Sequence, residues 1–330
     1  MVAARILVPS MLGLAALTAC GVAARPGPPA LVLERTISLK DVKGRIDHLA
    51  VDLKHGRLFV AELGNGTVEA IDLRAKQSTG RINGLKEPQG LAYLPDRGEL
   101  AVASGGDGTV RFYRGADLAP LGVLKVGADA DNMRVDPHSG RLIVGYGDGA
   151  LAIIDPAAQT VVASLPLPGH PESFRLNGSR VFINVPDVGA IVVGDLVTSR
   201  VIATWKGAHA FNFPLAFDPV SGALATVYRL PSRLAVLDAA SGATRADLAT
   251  CGNADDVFFD AKRQRIYVSC GSGAVDIVRT QPSYASINRV ATRSGARTAL
   301  FVPELDRLFV AARAGGLGSD AAILVYRPQF

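Results

Sequence analysis

Tryptophan and cysteine are scarce in this 330-residue chain, which has one Trp and three Cys. No Cys-x-x-Cys-His haem attachment occurs, and the cysteine spacing matches no zinc motif. No run of five basic residues exists, and the scattered arginines argue against a nucleic-acid interface despite a formal charge of +5. No uninterrupted apolar stretch reaches the roughly 20 residues of a membrane-spanning helix. Four catalytic or nucleotide signatures are also missing: the Gly-x-Ser-x-Gly elbow, His-Glu-x-x-His, the phosphate loop and the dinucleotide fingerprint. Gly105-Gly106-Asp107-Gly108 is glycine-rich but falls between two strand patterns, where it reads as a hairpin turn.

What is present is a repeat. A short apolar strand begins at His48, Gly90, Asn132, Ser173, Pro214, Asp256 and Thr298, so the starts are 42, 42, 41, 41, 42 and 42 residues apart. Second strands follow, such as Arg57-Leu58-Phe59-Val60-Ala61 and Arg265-Ile266-Tyr267-Val268-Ser269. Turn pairs come next (Asn65-Gly66, Asp107-Gly108, Asp148-Gly149, Ser272-Gly273), supplying the positive φ of tight hairpins. Third strands such as Thr67-Val68-Glu69-Ala70-Ile71-Asp72 lead into a fourth. Four antiparallel strands at this period form a propeller blade, and each blade buries its faces only against neighbours. The last repeat has three strands before Phe330, while Val32-Leu33-Glu34-Arg35-Thr36-Ile37-Ser38-Leu39 precedes the first repeat in fourth-strand register. The expectation is an all-β, seven-bladed β-propeller over residues 31–330, with the N-terminal strand completing blade seven.

Ahead of the ring, Arg5 followed by the mostly apolar Ile6 to Leu17 fits a secretory signal peptide. The stretch ends in Leu17-Thr18-Ala19-Cys20, which resembles the lipobox of bacterial lipoproteins. That resemblance implies cleavage after residue 19, lipid on Cys20 and a flexible tether over residues 20–30. Gly21, rather than the Asp that commonly retains such proteins at the inner membrane, points to the outer membrane facing the periplasm.

Leu58-Phe59-Val60-Ala61, Asn65-Gly66-Thr67-Val68 and Ile71-Asp72 resemble the YVTN repeat of seven-bladed propellers, a group that includes YncE-like periplasmic proteins. The group shares a superfamily with quinoprotein amine dehydrogenase chains. The resemblance covers about residues 31–330 and implies fold more than function. It implies a binding or scaffold role and transfers no catalytic set. The Trp-Asp signature of another propeller class is absent.

Polar residues concentrate just before and at the start of the first strands, which a propeller places at one mouth of its channel. They are Asp47, His48, Gln89, Asp131, Asn132, Arg134, His170, Glu172, Arg175, Asn212, Asp255, Asp256 and Arg297, with Arg45, Asp129, His209 and Thr298 nearby. Convergent polar groups at a funnel mouth are a ligand-site pattern. Mutual neutralisation is the plain alternative, with Arg134 and Arg175 beside Asp131 and Glu172, and Arg297 between Asp255/Asp256 and Asp47. No cofactor is expected; the metal alternative is Ca²⁺ through Asp47, Asp255 and Asp256. Cys251 and Cys270 flank the first hairpin of repeat six at the same end, which permits a disulfide.

Together these readings describe an envelope-anchored module, expected to be monomeric. It would bind a small molecule, peptide or envelope protein at the channel mouth, without nucleic acid. The alternative is an enzyme with a channel site, either a metal-assisted lactone or ester hydrolase or a quinone-dependent dehydrogenase.

Overall fold

The computed structural model describes Met1, residues 29–315 and residues 318–330. The expected export leader beyond Met1, Cys20 and all but the last two residues of the expected tether lie outside the described residues.

Seven sheets of four antiparallel strands follow one another around a ring. Their innermost strands are Leu49–Asp52, Pro88–Leu94, Met133–Val135, Phe174–Asn177, Ala210–Asp218, Ala254–Asp260 and Ala299–Val302, in blades one to seven. Within each blade the order is sequential except in the seventh, whose outer strand is Leu31–Leu39. That strand runs antiparallel to Ala321–Pro328, with Leu31 opposite Pro328 and Leu39 opposite Ala321. The ring is therefore closed by the two ends of the described chain, as the three-strand final repeat requires.

Seven apolar clusters occupy the seven gaps between blades. In one, Ile37 and Leu39 of the closing strand meet Leu49, Leu58 and Val60 of blade one. Between blades one and two, Phe59, Ala61 and Val68 meet Leu91, Leu100 and Val102. Side chains alternate along each strand, so one strand feeds two gaps: Leu58 and Val60 face blade seven, while Phe59 and Ala61 face blade two. Second and third strands are almost wholly buried and fourth strands carry most of the exposed residues. Each fully buried Leu, Val or Phe contributes about 1.5–3 kcal/mol.

The inner strands share a local irregularity. In blade six the register passes from Ala254 opposite Cys270 to Asp256 opposite Ser269, leaving Asp255 as an extra residue. Blades two and five show the same shift, between Pro88 and Leu91 and between Asn212 and Leu215. In blade one the Asp47 N–H donates to the Ala61 carbonyl while the Ala61 N–H donates to His48. Two inner residues therefore oppose one, as in a β-bulge, and bulges re-aim side chains next to binding sites.

The Sγ atoms of Cys251 and Cys270 are bonded, with Cα atoms 5.8 Å apart, and both residues lie inside the cluster between blades five and six. Closing a loop of sequence separation 19 corresponds to about 3 kcal/mol in the chain-entropy view. The Cys251→Ser/Cys270→Ser pair is expected to lower the free energy of unfolding by about that amount in denaturant titration. Mass mapping of the oxidised protein should find neither thiol alkylatable. A second expectation concerns Gly90, where an added Cβ would lie 1.9 Å from the Asp131 carbonyl oxygen of the next blade. Both atoms belong to backbone, so Gly90→Ala should cost at least the roughly 1–3 kcal/mol of core overpacking, read as a fall in the denaturation midpoint.

Candidate functional site

The bulge sets two successive rows of side chains at the head of the inner strands. The outer row contains Asp47, Gln89, Asp131, Glu172, Phe213, Asp255 and Arg297, and the next contains His48, Gly90, Asn132 and Asp256. Below them a channel cavity of about 260 Å³ is lined by His48, Arg134, Arg175 and Asp256 among apolar neighbours.

One side of the rim is an ion-pair network. The Arg45 guanidinium lies 2.6 Å from Asp47, which is 2% exposed. Arg297 Nε is 2.7 Å from Asp255 Oδ2, and Arg229 pairs with the other oxygen of Asp255. Arg229 also stacks on Phe213, with its Cζ 3.5 Å from the ring centroid. Blades five, six and seven are tied together at this point.

Across the rim the carboxylates lack such partners. Asp131 Oδ1 is buried with no hydrogen-bond partner and lies 3.8 Å from His48 Nε2. Burial drives the Asp131 pKa well above the usual carboxylate range, with the charges of Asp47, Glu172 and Asp129 adding to the effect. Glu172 is pushed up to about 7, chiefly by burial and partly offset by His170. Asn132 Nδ2 donates to the Glu172 carbonyl at 2.7 Å and reaches His48 Nε2 at 3.0 Å, leaving its own Oδ1 without a partner. An amide N–H donates, so His48 Nε2 accepts and the imidazole is neutral. Burial, followed by the charge of Arg134, holds its pKa down to about 3. The Asn132–His48 bond joins blades one and three past blade two, where the equivalent residue is Gly90.

The structure departs from the sequence reading at several residues. Asn212 is fully buried between blades four and five, donating to Asn184 Oδ1 at 3.0 Å and to the Ala190 carbonyl at 2.8 Å. The pleat and bulge put Phe213, not Asn212, in the rim row. Arg134 and Arg175 do not neutralise Asp131 and Glu172. Arg134 donates to the Met133 carbonyl at 2.6 Å, and Arg175 to the Phe174 carbonyl at 2.9 Å and Ser173 Oγ at 3.4 Å. Gln89 Nε2 reaches Asp129 Oδ1 at 3.3 Å, and His170 Nδ1 lies 2.7 Å from the Gly147 carbonyl, so both belong to the rim of blades two to four. His209 turns outward to Asp247, 2.8 Å away. Thr298 Oγ1 donates to the Ile46 carbonyl at 3.2 Å.

Among the described residues no group of three or more acidic, His or Cys side chains is gathered as a metal site. The Ca²⁺ alternative fails on geometry: Arg45 and the Arg229–Arg297 pair hold Asp47 and Asp255, and the Ala299 N–H donates to Asp256 Oδ2 at 2.8 Å. Arg229 and Phe213 were missed by the sequence reading. The available signal was the length of the blade-five hairpin, whose second strand Ala223–Leu230 runs on past the core to the rim.

These features define a closed seven-bladed propeller with a polar rim and a channel cavity. No protein-family model matches the chain, and no curated protein matches it in sequence. A chain of hydrazine synthase from Kuenenia stuttgartiensis is similar in structure, with TM-score 0.74 and 16% identity over 86% of this chain and 97% of that one. A chain of a mitotic checkpoint complex gives TM-score 0.77 and 17% identity over 99% of both chains. Identities this low establish the shared fold.

Glu172 supplies a pH test. Its folded pKa of about 7 lies above the ordinary 4.5, so the folded state holds the extra proton between these values. Stability is then highest below pH 4.5 and falls as pH rises through about 7. Glu172→Gln should unfold about 2–4 °C higher than the parent at pH 8 and at the same temperature at pH 4, by thermal scans.

Proposed function

We propose that this chain is a ligand-binding module of the bacterial cell envelope, and that its ligand enters the central channel through the polar rim. The observation that carries this reading is the pair of unpartnered buried acceptors, Asp131 Oδ1 and Asn132 Oδ1, directly before Met133 and Arg134, which line a cavity of about 260 Å³. A buried polar atom without a partner costs about 1–3 kcal/mol, so natural proteins keep few of them away from sites of use. The YVTN-like repeats favour a binding role by resemblance. Envelope anchoring rests on the lipobox-like Leu17-Thr18-Ala19-Cys20.

Catalysis in the channel is the second reading. It draws on Glu172, whose pKa near 7 suits proton transfer. A bound metal or chromophore in protein purified from the envelope would favour it, by elemental analysis and absorption spectroscopy.

Native mass spectrometry of the envelope-purified protein is expected to show a co-purifying small molecule. Asp131→Asn combined with Glu172→Gln should remove that molecule without lowering the unfolding midpoint; retention of the molecule would count against the rim as its entrance. Replacing Cys20 by Ser should abolish labelling by radioactive palmitate and shift the protein from the membrane fraction to the soluble one.

A further inference from the structure

The second residue after each bulge occupies the same register in every blade, opposite Phe59, Ala101, Ile143, Phe182, Ala225, Tyr267 and Phe309 of the second strands. That position is Ala50, Ala92 and Ala216 in three blades and Phe258 and Leu300 in two. Only the adjacent blades three and four place a charge there, Arg134 and Arg175. Both arginines line the channel cavity.

A guanidinium has five N–H donors. Arg134 directs one hydrogen bond to its neighbour's carbonyl, and Arg175 makes two such local bonds. Neither forms an ion pair among the described residues, although fourteen other arginines do. The Arg134 Cζ rests 5.6 Å from the centroid of Phe174, the residue next to Arg175. Burial disfavours the charge on both and Arg134 further disfavours that on Arg175, while Asp256 offsets part of this at each. Arginine stays protonated in proteins, so two positive charges stand side by side with no ion pair of their own.

Of the other titratable groups on the cavity, only Asp256 offsets part of that charge. His48 is neutral, as its bond from Asn132 requires. Asp256 has one oxygen bonded to the Ala299 N–H, and burial pushes its pKa up to about 8. Beside the arginines, on blades one and two, Val51, Leu91 and Ala92 form an apolar wall.

We propose that the channel binds a small organic carboxylate, with its anionic head shared between Arg134 and Arg175 and its apolar body against the inner strands of blades one and two. The assignment rests on the channel being the binding site and adds the chemical class of the occupant. Planar guanidinium groups suit a carboxylate through paired hydrogen bonds, and two of them on adjacent blades supply donors to both oxygens. Inorganic phosphate shares the head-group chemistry but leaves the apolar wall unused.

Calorimetric titration at low ionic strength tests this with benzoate, acetate, inorganic phosphate and chloride. Benzoate is expected to bind saturably, more tightly than acetate, phosphate or chloride, and to raise the unfolding midpoint. Arg134→Gln and Arg175→Gln should each weaken benzoate at least tenfold. Asp256→Asn, which removes the one carboxylate beside them, should tighten it. Ala92→Leu, which fills the wall and leaves both arginines in place, should also abolish benzoate binding and covers the case in which an arginine variant misfolds. Absence of saturable benzoate binding to the parent protein, or affinity in both arginine variants unchanged from the parent, overturns the proposal; so does phosphate binding more tightly than benzoate. If the co-purifying molecule is then still lost from the Asp131→Asn/Glu172→Gln variant, channel binding stands and only the carboxylate assignment falls.

Discussion

Burial of both faces of every sheet against neighbouring sheets is the constraint on which the structure depends. A four-stranded blade with Phe59 on one face and Leu58 on the other has no stable existence alone, because each face would expose a row of large apolar groups. Seven units meet that requirement only if the seventh returns to the first. The closing strand Leu31–Leu39 is therefore as much a part of the core as any central strand, with Ile37 and Leu39 buried to within a few per cent.

Packing at the gaps leaves the inner edges free to carry other side chains. The bulges at the strand heads use that freedom by turning two consecutive residues toward the axis. Charges then divide by position. Around blades five to seven they pair off, with Asp255 held between Arg229 and Arg297. Around blades three and four, Asp131, Glu172, Arg134 and Arg175 remain outside any such pairing even though opposite signs sit three residues apart in sequence. Close packing of the inner strands fixes side-chain directions too firmly for those neighbours to find each other.

The sequence made the ring legible because blade count, strand order and closure follow from spacing and alternation, which are local. The seven starts and the three-strand final repeat carried that information in plain form. The rim was legible only as a region. Asp47, Asp131, Asp255 and Arg297 could be placed there from their offset to the strand starts, but a one-residue bulge decides which side chain faces the axis. Asn212 and Phe213 exchange roles for that reason. Arg229 was invisible because it arrives from a second strand, and ion-pair partners depend on distances across blades that no linear spacing encodes.

Ring closure has a consequence for the order of folding. Ser38 and Asp320, which meet at the seam, are separated by 282 positions in the chain. The first six blades form from hairpins that are complete within a few dozen residues, whereas the seam joins segments from opposite ends and carries the largest loop-closure entropy in the molecule. During synthesis the strand Leu31–Leu39 stays an unpaired apolar edge until Ala321–Pro328 has emerged. The seam is thus the last joint to set, and the place where premature pairing with another copy would begin.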